Sequence, residues 1–317
     1  MTDEPTIDKI REASRRISPY IHRTPVLTCH ALNKITEAEI FFKCENFQKA
    51  GVFKIRGATN AVLNLCSEEA SRGVATHSSG NHGAALALAA RWIGTKAYVV
   101  MPENAPKIKK DAVVGYGAEI VFCEPTLRSR ETTLAEVVDR TGAFFIHPYD
   151  NYKVIAGQGT AALELCEDIN ALDIVMTPVG GGGLLGGTAI TVSAISPTTL
   201  VVAAEPERAD DAYCSFYAKK LIPVENPDTI ADGLRTSLGS LTFPIIRDHV
   251  SDIVTVSEES IIAGMRYIWE RMKIVVEPSA AVPLGAVLTN RGKFLGKRIG
   301  IILSGGNVDL DSLPWVR

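Results

Sequence analysis

The sequence predicts an α/β fold of two lobes, each a mainly parallel sheet covered by helices. Three observations carry that reading. Short β-rich runs alternate with longer helical periodicities, which argues for parallel sheets covered on both faces. Crossovers of about ten to thirteen residues suit right-handed βαβ units. The length of 317 residues fits two lobes at about 150 residues each.

Taken in order, strands are expected over residues 39–43, 73–76, 97–101, 119–122, 144–146, 174–177, 200–204, 253–256 and 298–303. Each is a short apolar run bounded by Gly, Pro or polar residues. Helices are expected between them, over 55–65, 82–92, 106–114, 127–140, 154–166, 184–193, 258–272 and 279–288, where apolar residues recur at three and four. No linker, repeat or low-complexity stretch separates the lobes. Four compact β–α steps fall between Gly73 and Pro148. Residues 73–148 are therefore expected to form a small substrate-facing lobe, inserted in a large lobe made of 1–72 and 149–317. A ligand site belongs at the carboxyl ends of such strands, where crossovers diverge.

Composition narrows the function classes. A hydrophobic share of 46% and a charged share of 22% exclude disorder, collagen and coiled coil. Lys+Arg 33 against Asp+Glu 36 gives a net charge of −3, so no basic excess draws the chain to nucleic acid or anionic lipid. The N-terminus is charged from Asp3 and lacks the apolar core of a secretory signal. No apolar run approaches the roughly 18 residues that span a bilayer. Six cysteines (29, 44, 66, 123, 166 and 214) without paired or metal-finger spacing read as thiols in a reducing compartment. A cytoplasmic protein is expected, with neither nucleic acid nor membrane as partner.

Five motifs fall at strand–helix joins. Gly180, Gly181, Gly182 and Gly183, followed by Leu184, leave backbone N–H groups unshielded at a helix N-terminus. Four glycines exceed what a tight turn needs, so a phosphate cradle is favoured over close packing alone. Ser78, Ser79, Gly80, Asn81, His82 and Gly83 gather hydroxyls, an amide and an imidazole where a carboxylate or oxyanion would bind. A simple N-cap would need only one of them. Lys54 beside Phe53 is either a solvated cation or a desolvated nucleophile of lowered pKa. Ser304, Gly305 and Gly306 end the last strand as a ligand contact or a turn. Within Glu205-Pro206-Glu207-Arg208-Ala209-Asp210-Asp211, carboxylates plus a free backbone carbonyl can hold a hard divalent cation through oxygen. On sequence alone an acid-rich helix N-terminus is the simpler account.

Together these motifs resemble the serine racemase and serine/threonine dehydratase family of fold-type II pyridoxal-phosphate enzymes, which are tryptophan synthase β-like. The resemblance covers almost the whole chain. It runs from Pro19-Tyr20-Ile21-His22-Arg23-Thr24-Pro25-Val26-Leu27 and Phe41-Phe42-Lys43-Cys44-Glu45, through Ile155-Ala156-Gly157-Gln158-Gly159-Thr160 and Ile230-Ala231-Asp232-Gly233, to Glu277-Pro278-Ser279 and the segment after Leu303. By that resemblance Lys54 is the lysine that anchors the cofactor, and Gly180 to Leu184 hold its phosphate. Phe53 flanks the ring, Asn81 contacts the pyridoxal 3′-oxygen and Ser304 meets the pyridine nitrogen. Ser78, Ser79, His82 and Arg130 face the substrate. The stretch Glu205, Ala209 (through its carbonyl) and Asp211 matches the family's divalent-cation site for Mg²⁺, Ca²⁺ or Mn²⁺, which reverses the motif-level preference. Val52 departs from the serine or alanine common before the Phe53 position. The resemblance also implies a homodimer and a nucleotide effector.

The implied activity is racemisation of serine together with dehydration of L- and D-serine to pyruvate and ammonia. A serine at the pyridine nitrogen cannot hold a pyridinium as an aspartate would, which favours elimination or racemisation over transamination. Lys54 and Ser79 are the expected catalytic pair, one on each face of the α-carbon. The alternative is a dedicated threo-3-hydroxyaspartate or L-threonine dehydratase, and a racemase of an acidic amino acid also stays open. The chain's end at Arg317 disfavours a feedback-regulated deaminase. A non-catalytic phosphate-binding protein on the same fold would not require Lys54.

Overall fold

A computed structural model describes residues 4–315. Met1 to Asp3, part of the charged N-terminus read above, and the terminal Val316 and Arg317 lie outside the described residues.

Ten strands form two sheets: β1 (Val26–Thr28), β2 (Glu39–Cys44), β3 (Val74–His77), β4 (Ala97–Pro102), β5 (Glu119–Cys123), β6 (Phe144–Phe145), β7 (Ile174–Pro178), β8 (Leu200–Pro206), β9 (Asp252–Val256) and β10 (Arg298–Leu303). The larger sheet has the order β1-β2-β10-β7-β8-β9 and the smaller β5-β4-β3-β6. Every pairing is parallel except β1 with β2, where Val26 lies opposite Lys43. Strands β4 and β7 are buried along their whole length, as strands with helices on both faces must be.

The nine expected strands are all present, within one or two residues. Strand β1 was not foreseen, because three residues behind Pro25 are too short to show alternation. Helices Ile7–Ile17, His30–Thr36, Ser67–Arg72, Thr242–His249 and Arg291–Phe294 were also not expected, whereas helix Asp211–Ala218 starts at the acid-rich stretch that reads as a helix N-terminus. The helix expected over 258–272 is α-helical only through Tyr267 and closes as a π-helical turn, Ile268–Met272.

Two helices position the site. Helix Tyr152–Asp168 packs so closely on helix Gly183–Ile195 that a Cβ on Gly187 would lie 2.5 Å from the Gly159 nitrogen. Helix Lys54–Val62 follows β2 in the chain, yet its Ile55, Ala58, Ala61 and Val62 join the core of the smaller sheet with Val74, Leu86 and Val99. It therefore lies where the two sheets' cores meet. Among the described residues no helix is long and apolar enough to cross a membrane, and all six cysteines are unpaired.

Candidate active site

Helix Lys54–Val62 starts on the lysine itself. The Phe53 N–H donates to the Ser304 carbonyl at 2.9 Å and Val52 bridges to Gly305, which stitches the approach to Lys54 onto the end of β10. Lys54 Nζ donates to the Pro148 carbonyl at 2.9 Å and lies 5.2 Å and 5.9 Å from the ring centres of Phe53 and Tyr149. Burial pulls its pKa from 10.5 down to about 8, with the Glu277 carboxylate pulling the other way. Such an amine is partly unprotonated near neutrality, fit to act as nucleophile or base. This setting favours the desolvated-nucleophile reading of Lys54 over a solvated cation.

The glycine run leads directly from β7 into helix Gly183–Ile195. Gly182 takes a left-handed φ of +88°, and no side chain caps the helix. At Gly181 a Cβ would stand 2.3 Å from the Tyr149 ring, so no larger residue fits. Thr242 Oγ1 donates to the Gly181 carbonyl at 2.9 Å. Asp150 in turn accepts from the N–H groups of Leu241 at 2.8 Å and Thr242 at 3.2 Å. The loop is thus braced by Thr242 and Asp150 at a helix N-terminus, a setting that suits a phosphate.

Between β3 and helix Asn81–Ile93, the cap residue is Gly80 and no side chain caps the helix, so Ser79 is not spent as a cap. Ser78 Oγ accepts from the Gly80 N–H at 3.1 Å. Arg130 makes a long contact from its guanidinium to Ser79 Oγ, 3.5 Å, while its buried Nε has no partner. His82 is buried with neither ring nitrogen in a well-formed hydrogen bond, and burial followed by the charge of Lys54 keeps it neutral. Burial likewise lowers His77 and His147 to about 4. Ser304 Oγ, at the end of β10, is buried and unpartnered.

Asn81 joins the two sheets. Its Nδ2 donates to both Glu277 oxygens at 2.9 and 3.0 Å, and its Oδ1 accepts from Asn307 at 2.9 Å. Burial raises Glu277 to about 7, although Lys109 opposes the shift. Lys109 is itself ion-paired with Asp232. Sequence reasoning gave no role to Pro148, Tyr149, Lys109, Asp232, Glu277 or Asn307. The His-Pro pair after β6 was the one local signal for the first two.

Away from this cleft, Glu205 is the last residue but one of β8, Ala209 closes the turn Glu207–Ala209, and Asp211 opens helix Asp211–Ala218. Glu205 accepts from the N–H groups of Ala212 at 2.9 Å and Tyr213 at 2.8 Å. Asp211 Oδ2 accepts from the Leu238 N–H at 2.9 Å, while Oδ1 is buried without a partner. Burial pushes Glu205 well above the carboxylate range and Asp211 to about 7. Two buried carboxylates with an orphaned oxygen and no cation beside them fit a hard divalent ion. Among the described residues no cluster of three or more His, Cys, Asp or Glu could hold a metal. Glu205, Asp211 and a carbonyl are a different, all-oxygen donor set.

A family model described as pyridoxal-phosphate dependent enzyme matches residues 17–305. β-Hydroxyaspartate dehydratase of Paracoccus denitrificans (strain Pd 1222) is 52% identical over 311 residues, covering 98% of this chain and 99% of that protein. Serine racemase of Arabidopsis thaliana is 52% identical over 309 residues, covering 96% of this chain and 93% of the relative. The crystal structure of serine racemase from Dictyostelium discoideum superposes with a TM-score of 0.92 at 50% identity, over 98% of this chain and 100% of that one. The cradle and Ser304 fit the phosphate and ring nitrogen of that cofactor, and Lys54 fits its aldehyde. The chain belongs to the pyridoxal-phosphate dependent enzymes and has their fold-type II architecture.

Proposed function

We propose that this enzyme racemises serine and dehydrates L- and D-serine to pyruvate and ammonia. The observation that carries the reading is a half-buried lysine whose pKa is lowered to about 8, in hydrogen-bond contact with the Pro148 carbonyl, combined with a Ser79 hydroxyl that caps no helix. Pyridoxal phosphate, when bound, supplies the electron sink that acidifies the substrate's α-C–H. Lys54 Nζ takes that proton from one face, and Ser79 Oγ returns or takes it on the other. The loop of Ser78, Ser79, Asn81 and His82 holds the carboxylate, to which His82 is offered as a neutral imidazole. The N–H groups of Gly180 to Leu184 would hold the phosphate, with Phe53 beside the ring and Ser304 at its nitrogen, while Asn81, whose amide donates to both Glu277 oxygens, would have to release one of them to reach the 3′-oxygen.

The same reading divides the work between a substrate-facing unit, 73–148, and a cofactor-holding unit, 1–72 with 149–317. The unmatched carboxylates support Mg²⁺, Ca²⁺ or Mn²⁺ at Glu205, Ala209 and Asp211. A homodimer and a nucleotide effector are supported by the family resemblance alone, and a cytoplasmic setting by the charged N-terminus and the unpaired cysteines.

A second reading, dehydration of threo-3-hydroxyaspartate, is favoured by Arg130. Its unpartnered Nε could receive a β-carboxylate, and one relative at 52% identity carries the name β-hydroxyaspartate dehydratase. Product analysis on L-serine, D-serine, L-threonine and L-threo-3-hydroxyaspartate decides between them. The sharper test is Ser79→Ala. A positioned proton donor contributes about 10²–10⁴-fold, so L-to-D conversion should fall by that order while L-serine dehydration falls less. Equal loss of both activities, or no racemisation by the parent enzyme, refutes the two-base assignment.

A further inference from the structure

Two residues beyond Lys54 on the same helix, Arg56 is 0% exposed. Its Nε and NH2 donate to the two oxygens of Glu45 at 2.7 and 2.8 Å. NH1 and NH2 donate to those of Glu164, both at 2.8 Å, and NH1 also reaches Thr160 Oγ1 at 3.1 Å. Each N–H of the guanidinium is therefore used. Lys43, equally buried, donates to Glu164 at 2.6 Å and to the Thr24 carbonyl at 2.7 Å. The Thr24 hydroxyl completes the cluster by donating to Glu45 at 2.5 Å. Two cations face two carboxylates, with no charge left over.

This cluster joins the parts that must meet at Lys54. Glu45 directly follows β2, and Glu164 lies on helix Tyr152–Asp168. The Gly57 N–H donates to Gln158 at 3.1 Å, and a Cβ on Gly157 would lie 2.6 Å from the Gly57 Cα, so the two helices touch backbone to backbone. Just before helix Tyr152–Asp168 come Pro148, whose carbonyl receives Lys54 Nζ, and Tyr149, whose ring backs Gly181. Rotation or sliding of helix Lys54–Val62 against its neighbour would move the amine relative to the cradle. Stability alone does not account for the charges, since apolar residues of similar volume often replace a buried ion cluster at no loss. A fork bidentate to two carboxylates adds what apolar packing lacks, a fixed rotation and register.

We propose that Arg56 is a positioning residue for Lys54, holding the first turn of its helix so that Nζ meets the Pro148 carbonyl beside the phosphate cradle. The inference rests on Lys54 being the cofactor lysine. Arg56→Lys keeps the charge, but one ammonium cannot span both carboxylates. In the holoenzyme, kcat for L-serine dehydration should fall about 10²-fold with KM little changed, the scale of an ångström-size misplacement. The pH at which the holoenzyme's visible spectrum changes should shift as well. The fourfold variant K43M/E45M/R56M/E164M leaves no charge unpaired, so it keeps the test open if Arg56→Lys does not fold. It should retain thermal stability and lose kcat to the same degree. Parental kcat and spectral pH response in either folded variant would overturn the proposal. Lys54→Ala separates the two levels: if it keeps turnover without added amine, the reading of Lys54 fails. If it is dead while the fourfold variant is fully active, only the positioning role fails.

Discussion

Two pairs of carboxylates are buried to the same depth in this molecule and behave in opposite ways. Glu45 and Glu164 are 0% and 6% exposed, Glu205 and Asp211 0% and 2%. Burial would raise Glu164, but the hydrogen bonds and charges of Arg56 and Lys43 outweigh it and hold its pKa below the usual carboxylate value. Glu205 has only backbone N–H groups from Ala212 and Tyr213 against its burial and the repulsion of Asp211, and its pKa is driven well up. Backbone donors do not replace a cation. The first pair is complete and serves as scaffold; the second lacks a partner and has the chemistry of a site. The same contrast holds around Lys54, where Ser304 Oγ and Arg130 Nε remain unsatisfied in front while every donor of Arg56 is satisfied behind.

Removing the cation from the complete pair should have the largest effect. Arg56→Met alone leaves buried carboxylates short of a partner and should cost about 3–5 kcal/mol in urea unfolding. The charge-free fourfold variant should lose much less. Equal losses in the two would mean that volume rather than charge matching governs the cluster.

Local patterns revealed nine of the ten strands and eight of the helices among the described residues, and they singled out the glycine run. They did not reveal the partners. Four consecutive glycines after a strand show in the sequence because their chemistry is contiguous. Asn81 and Glu277 lie 196 positions apart, Lys54 and Pro148 94 apart, and Arg56 and Glu164 108 apart, so no period or spacing links them. Lys43, Glu45 and Glu277 stood inside motifs that carried the family resemblance, but which charge each would meet depends on the order of strands in the sheet. The missed helix Ile7–Ile17 is a different case. Its buried Ile10, Ala13 and Ile17 have the three-and-four spacing of an amphipathic helix, masked by a segment read chiefly for its charge.

For the incomplete pair, supplying the missing cation should stabilise. Adding Mg²⁺ to chelator-treated enzyme at a hundredfold excess over its dissociation constant should contribute about 2.7 kcal/mol, seen as a higher melting temperature. Asp211→Ala should abolish that response. If the variant melts and responds to chelator as the parent does, the acidic residues are a helix-end feature and the contrast between the pairs loses its functional meaning.

The effect most specific to the unmatched pair is in the pH dependence. Without a divalent ion, Asp211 has a folded pKa of about 7 against an ordinary 3.8, and Glu205 is raised in the same direction. The native state therefore binds protons that the unfolded chain has released. Stability should be highest at low pH within that window and decline as pH rises from about 4 towards 7, by at most about 1.4 kcal/mol per pH unit for each proton. Saturating Mg²⁺ should flatten or reverse the slope, because the ion binds the ionised carboxylates and competes with those protons. Glu277, also raised to about 7, titrates in both conditions and so cancels from their difference. Melting temperatures measured from about pH 5 to pH 8, with chelator and with Mg²⁺, should diverge as pH rises. In Asp211→Asn the two curves should run together. Parallel curves in the parent enzyme would show that Glu205 and Asp211 share protons but hold no cation.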